Sequence, residues 1–184
     1  MSNQIEIERR FLCFPENTLQ VQKWVGISPL SHRIIQGYID NTADLPLRIR
    51  EVDNGIHKAA YYCTLKLPRN GEGCTELESI IPASLGLELL AKCKWRVTKV
   101  RTTKYIKGHP GLKWEMDLIL LGEKEVIITE IEVPSLDYQL KIPKALGIEI
   151  THIKELSNFN IAKDPRTAIG IIMDIWETGH VHVI

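Results

Sequence analysis

Apolar and polar positions alternate in short runs over most of this chain. Eight such runs stand out: Ile5 to Arg10, Ser31 to Asp40, Leu45 to Val52, Ala59 to Leu67, Cys74 to Ile81, Trp95 to Lys107, Leu112 to Leu120 and Glu125 to Val133. A period of two is that of a β-strand with unlike faces. Turn residues separate the runs, among them Asn41-Thr42-Ala43-Asp44, Asp53-Asn54-Gly55 and the loop from Pro68 to Gly73. Helical spacing is rarer. It predicts a turn around Thr18 to Trp24, a helix from Leu85 to Lys94 capped by Ser84, and a helix from Ser135 to Leu146 broken by Pro143. A last helix starts at Asp164 and Pro165, carries Ala168, Ile171, Ile172, Ile175 and Trp176 as its apolar stripe, and stops at Gly179. The outer apolar faces of the strands are its expected partner, with a second subunit or one end of the tunnel as the alternatives. These elements predict an α+β fold, mainly antiparallel β: an eight-stranded β-barrel with a few covering helices. A two-layer α+β sheet is the alternative. Residues 1–163 form the expected domain, and 164–184 a helical extension of it.

The polar positions are sorted by charge. Residues two apart read Glu6-x-Glu8-x-Arg10, Arg48-x-Arg50, Thr64-x-Lys66, Glu76-x-Glu78, Lys99-x-Arg101, Glu115-x-Asp117 and Glu130-x-Glu132, with mostly apolar residues between them. On a strand, each pair points to one side. A solvated face accounts for any single pair. The full set points to a charged barrel interior, which is unfavourable unless its charges are paired or bind something. Clustered Arg and Lys call for a polyanion, and clustered carboxylates for a hard cation such as Mg²⁺ or Mn²⁺. A metal-bound polyphosphate satisfies both.

Composition narrows the classes. The chain has 184 residues, 44% hydrophobic and 25% charged, with 23 basic against 23 acidic side chains. That balance gives no general attraction to nucleic acid or acidic membranes. Four scattered cysteines, Cys13, Cys63, Cys74 and Cys93, favour reduced thiols and a cytoplasmic location. No apolar run suits a signal peptide or a membrane span. His180-x-His182 reads as a frayed terminus rather than a ligand pair.

The ordered set of motifs resembles the CYTH, or triphosphate tunnel metalloenzyme, superfamily. The resemblance runs from about Ile5 to Ala162. It is carried by Glu6-Ile7-Glu8-Arg9-Arg10, Gln36-Gly37-Tyr38, Arg48-Ile49-Arg50, Thr64-Leu65-Lys66, Glu76-Leu77-Glu78, Lys99-Val100-Arg101, Trp114-Glu115-Met116-Asp117 and Glu130-Ile131-Glu132-Val133. It implies a tunnel-forming antiparallel barrel acting on a triphosphate-containing small molecule with Mg²⁺ or Mn²⁺. Glu6, Glu8, Glu130 and Glu132 resemble the family's metal-holding carboxylates. Arg10, Arg48, Arg50, Lys66, Lys99 and Arg101 resemble its phosphate clamp. Glu8, Arg10 and Glu132 are the catalytic candidates. Glu76, Glu78, Glu115 and Asp117 are expected to hold a second metal, orient a water or balance the cations.

Two positions depart from the family pattern. Arg10 stands where the opening motif usually ends in lysine, and Glu155-Leu156 where relatives usually carry an arginine and a tyrosine. Lys154 is a candidate for closing one tunnel mouth. The expected reaction is hydrolysis of inorganic triphosphate or a nucleoside triphosphate. A class IV-type adenylyl cyclase and a non-catalytic polyphosphate or nucleotide sensor are the alternatives. A homodimer is left open.

Overall fold

The computed structural model describes residues 4–25, 31–39, 47–68 and 73–181, without the side chains of 4–6 and 68. Among these residues ten strands form one antiparallel sheet: β1 (Gln4–Glu6), β2 (Glu8–Leu12), β3 (Ser31–Ile39), β4 (Leu47–Asp53), β5 (Ala60–Pro68), β6 (Cys74–Ile81), β7 (Trp95–Tyr105), β8 (Lys113–Leu121), β9 (Lys124–Glu132) and β10 (Ile148–Glu149). Their order is β1-β6-β5-β4-β3-β7-β8-β9-β2-β10.

β1 and β2 are separated only by Ile7, yet they pair at opposite sides of the sheet. Residues 4–6 bond to β6, and residues 8–12 bond to β9. One short segment thus draws the two sides together, and the sheet curls into a tunnel-like form. This is why the first expected strand becomes two. β10 adds a two-residue strand against β2.

Among the described residues the helices are α1 (Thr18–Val25), α2 (Ala83–Lys92), α3 (Asn158–Lys163) and α4 (Pro165–Thr178). α2 starts after Pro82, with no side-chain cap, rather than at Ser84. Residues 135–146 form turns and irregular backbone with a 3₁₀ turn at Lys144–Leu146, not the expected helix. Pro143 directly precedes that turn as its N-cap, and a proline N–H is not available for a helical bond.

The convex side of the sheet carries two apolar clusters. Phe11, Trp114, Met116, Ile127 and Ile131 pack with Val21 and Val25 of α1 and with Leu146. Ile49 and Tyr61 pack with Leu90 of α2 and with Cys93. α2 comes very close to the sheet. A Cβ on Gly86 would lie 2.4 Å from the Tyr61 ring, and one on Gly37 2.7 Å from Cys93 Sγ. Only glycine allows that approach.

α4 does not cover the convex side. Ala168, Ile172 and Ile175 pack with Leu12, Val97, Ile119, Leu121, Val126 and Ile128. Leu12 is two residues from Arg10, Val97 from Lys99, Ile119 from Asp117 and Ile128 from Glu130. They therefore share the concave face with the charged pairs. The concave face is charged towards one end of these strands and apolar towards the other, and α4 fills the apolar end. The outer faces have other cover, and the expectation that α4 would lie there is corrected.

Candidate active site

The charged ends of the strands line a cavity of about 830 Å³. The strand period places its groups. β4 contributes Arg48 and Arg50, β5 Lys66, β6 Glu76 and Glu78, and β7 Lys99 and Arg101; β8 adds Glu115, β9 Glu130 and Glu132, and β2 Glu8. Eleven of the fourteen candidate residues thus line one space. Glu6 has a described backbone, paired with Cys74, but its side chain lies outside the described residues. Arg10 and Asp117 are on the same face of their strands but do not line the cavity. His180 is exposed, and His182 lies outside the described residues.

On one side, Arg48 donates to Glu76 and, at 3.3 Å, to Thr64 Oγ1. Arg50 Nη2 reaches Glu78 Oε2 at 2.5 Å, and Thr64 Oγ1 donates to the same oxygen at 2.6 Å. Lys66 Nζ is 3.6 Å from Glu76. The Nε atoms of both Arg48 and Arg50 are buried without a hydrogen-bond partner among the described residues. Burial and neighbouring Arg48 lower the pKa of Arg50, against the pull of Glu78. Burial also works against ionisation of Glu78, but Arg50, Thr64 and Arg48 hold its carboxyl below the usual range.

On the other side, Asp117 receives Arg101 through two bonds of 2.6 Å, and Lys99 Nζ at 2.6 Å. Lys99 and Asp117 are each 1% exposed. Arg101 also donates to Glu130 at 2.7 Å and to Glu115, and Lys113 Nζ lies 2.5 Å from Glu115. Burial penalises the charge on Arg101, but Asp117, Glu130 and Glu115 outweigh it and raise its pKa well above the ordinary value. Lys99 is lowered by burial and by Arg101, against Asp117 and Glu130. The carboxylates Glu76, Glu78, Glu115 and Asp117 all sit against cations.

Glu8 and Glu132 face each other across the β2–β9 ladder, and Glu130 lies between Arg10 and Glu115 in register. Among the described residues, no group of three or more His, Cys, Asp or Glu is gathered to hold a metal. Arg10 does not line the cavity, although its Nε lies 3.6 Å from Glu8 Oε1. Its guanidinium donates to the carbonyls of Leu156, Thr151 and Ile153 at 2.7, 3.1 and 3.2 Å.

Several lining residues fall outside the charge pattern. Asn158 donates to Glu130 Oε1 at 3.1 Å and accepts from Lys99 Nζ at 3.3 Å. Gln36 Nε2 donates to the Tyr38 hydroxyl at 2.5 Å, and burial pushes the Tyr38 pKa up to about 12. Phe159 packs edge-on against Tyr38 and Trp95. Lys113 extends the two-apart pattern of β8 by one step and was findable that way. Asn158 sits on a helix, where no strand period marks it. Lys154 and Glu155 are exposed and do not line the cavity.

No family model matches the chain. The inorganic triphosphatase of Acetivibrio thermocellus is 31% identical over 161 residues, covering 87% of this chain and 94% of that protein. A crystal structure of the inorganic triphosphatase NE1496 superposes with a TM-score of 0.54 at 25% identity, covering 85% of this chain and 97% of the other. HpAC1 from Hippeastrum, whose structure is described with a dominant triphosphatase activity, gives a TM-score of 0.56 over 71% of this chain and 80% of that one; at 19% identity it supports the fold alone. Kinship at this level over nearly the whole of a relative fixes the descent of the chain, which belongs to the CYTH, or triphosphate tunnel metalloenzyme, superfamily.

Proposed function

We propose that this protein hydrolyses the terminal phosphoanhydride bond of a small triphosphate, with inorganic triphosphate as the leading substrate. The observation that carries this reading is the cavity itself. It is lined by Arg48, Arg50, Lys66, Lys99 and Arg101 on one hand and by Glu8, Glu130 and Glu132 on the other. The two buried, unpartnered Nε–H groups of Arg48 and Arg50 are donors that phosphate oxygens would satisfy. The kinship to inorganic triphosphatases supports the same reading.

Phosphoryl transfer asks for alignment and charge neutralisation more than covalent help. Arg48, Arg50 and Lys66 would hold the phosphate chain along one wall. Arg101 and Lys99, fixed by Asp117, would face it from the other. Water would attack the terminal phosphorus in line with the bridging oxygen. The new P–O bond forms as the bridging bond breaks, releasing orthophosphate and diphosphate, and the water proton leaves to a cavity carboxylate or to solvent.

The donor set fits a hard divalent cation. Mg²⁺ is commonly held by one or two carboxylates together with substrate phosphates. Glu8 and Glu132, opposed in register, would supply the protein's share, with Glu130 beside them. A bound Mg²⁺ or Mn²⁺ would neutralise charge on the phosphoryl oxygens.

The test is phosphate release from inorganic triphosphate, ATP and longer polyphosphate, with Mg²⁺, Mn²⁺ or chelator. Metal-stimulated release of orthophosphate from inorganic triphosphate is expected. Formation of cyclic AMP and diphosphate from ATP would favour a cyclase. Tight binding without turnover under every metal condition would favour a sensor.

A further inference from the structure

Arg10 is the residue whose placement departs furthest from its motif. It is 5% exposed and contributes nothing to the cavity lining. Its three side-chain hydrogen bonds go to the carbonyls of Thr151, Ile153 and Leu156, while its Nε lies 3.6 Å from Glu8 Oε1. Its backbone joins the same segment. Arg10 N donates to Thr151 Oγ1 at 3.1 Å, and Ile150 N donates to Arg10 O at 2.8 Å. That segment leads directly into Ser157, Asn158 and Phe159, which do line the cavity. Asn158 bridges Lys99 and Glu130.

We propose that Arg10 is a positioning residue, which straps the 151–156 turn to β2 and so holds Asn158 between Lys99 and Glu130. The chemistry needs arginine. Its planar fork reaches carbonyls at two separate points, through Nη1 and Nη2. A lysine ends one bond earlier in a single ammonium and cannot span both. The residue that in sequence reads as one more phosphate cation thus spends both Nη groups on the backbone and sets its Nε against Glu8, and the site gains a fixed amide instead. This inference rests on the triphosphatase reading for its kinetic arm only.

Arg10→Lys and Asn158→Ala, singly and together, test it. Substrate-free Arg10→Lys should lose amide protection at residues 151–158 while β4 and β5 keep theirs. Each single variant should lower orthophosphate release from inorganic triphosphate by about 10–100-fold, the range of a lost supporting contact. The double variant should lose little more than Asn158→Ala alone, because one residue acts through the other. Unchanged exchange at 151–158, or losses that multiply, would overturn the strap. If Arg10→Lys does not fold, the guanidinium resonances of Arg10 in the unaltered protein decide. They should hold still during titration with inorganic triphosphate, while those of Arg48 and Arg50 move; a matching shift of Arg10 would make it a clamp. Absence of turnover in the unaltered protein would sink the triphosphatase reading and leave the exchange and resonance measurements to judge the strap.

Discussion

Arg48 and Arg50 stand two apart on β4 and meet the cavity with part of each guanidinium still undonated. Each is already oriented by a carboxylate of β6, so little side-chain entropy is left to lose on binding. Arg50→Ala and Lys66→Ala should weaken inorganic triphosphate by about 1.5–3 kcal/mol each, the value of a charged hydrogen bond. Orthophosphate, too short to reach the whole clamp, should weaken far less in a titration of both ligands. Glu8→Gln and Glu132→Gln keep shape and remove charge. Both should abolish most turnover at limiting Mg²⁺, with partial recovery at high Mg²⁺. Asp117 carries a different load, since it compensates two buried cations. Asp117→Ala leaves Lys99 and Arg101 short of a partner, and breaking a buried pair costs about 3–5 kcal/mol. Denaturant unfolding should register that loss even in the absence of ligand.

α4 shows how an element can be read correctly and placed wrongly. Its start at Asp164 and Pro165, its stripe and its stop at Gly179 all stand as the spacing predicts, and Asp164 accepts from Thr167 N as a cap should. Its location was also within reach. Carrying the two-residue period one step past each charged pair arrives at Leu12, Val97, Ile119 and Ile128, all apolar and all on the concave face. Truncation after Lys163 would strip Ala168, Ile172 and Ile175 from that cluster. A buried isoleucine contributes about 1.5–3 kcal/mol, so the loss is a large part of a stability of about 5–15 kcal/mol. The truncated chain should aggregate or melt far below the full chain in a thermal scan; a soluble truncation with an unchanged melting temperature would contradict this packing.

At the scale of the molecule, the interior is a lattice of paired charges, and pH acts on it in one direction. Burial disfavours the ionised forms of Glu78, Glu115 and Asp117, yet the facing cations hold all three below the usual carboxylate range. A carboxylate depressed in the fold stabilises it above the unfolded pKa and loses that contribution as pH falls through the folded pKa. The melting temperature should therefore hold in the neutral range and start to fall near the ordinary carboxylate pKa of about 4, with further loss below it. A maximum of stability on the acid side of that point would mean that these pairs do not hold the interior together. Among the described residues, no helix is long and apolar enough to cross a membrane.

The strand period and the sorting of charge by strand were legible in the sequence, because both are local. Residues two apart on a strand share a side whatever the strand packs against. That alone placed Arg48 beside Arg50 and Glu130 beside Glu132 on one face, and the order of the motifs carried the family. What the sequence could not decide is long-range. The split at Ile7 depends on two different partners, β6 and β9, competing for one segment. The contact of Arg10 is with a turn more than 140 residues away. A guanidinium can donate to phosphate or to peptide carbonyl, so its residue type leaves the partner undetermined. The partner is set by which donor-starved or acceptor-rich group the fold brings within about 3 Å, the reach of a hydrogen bond.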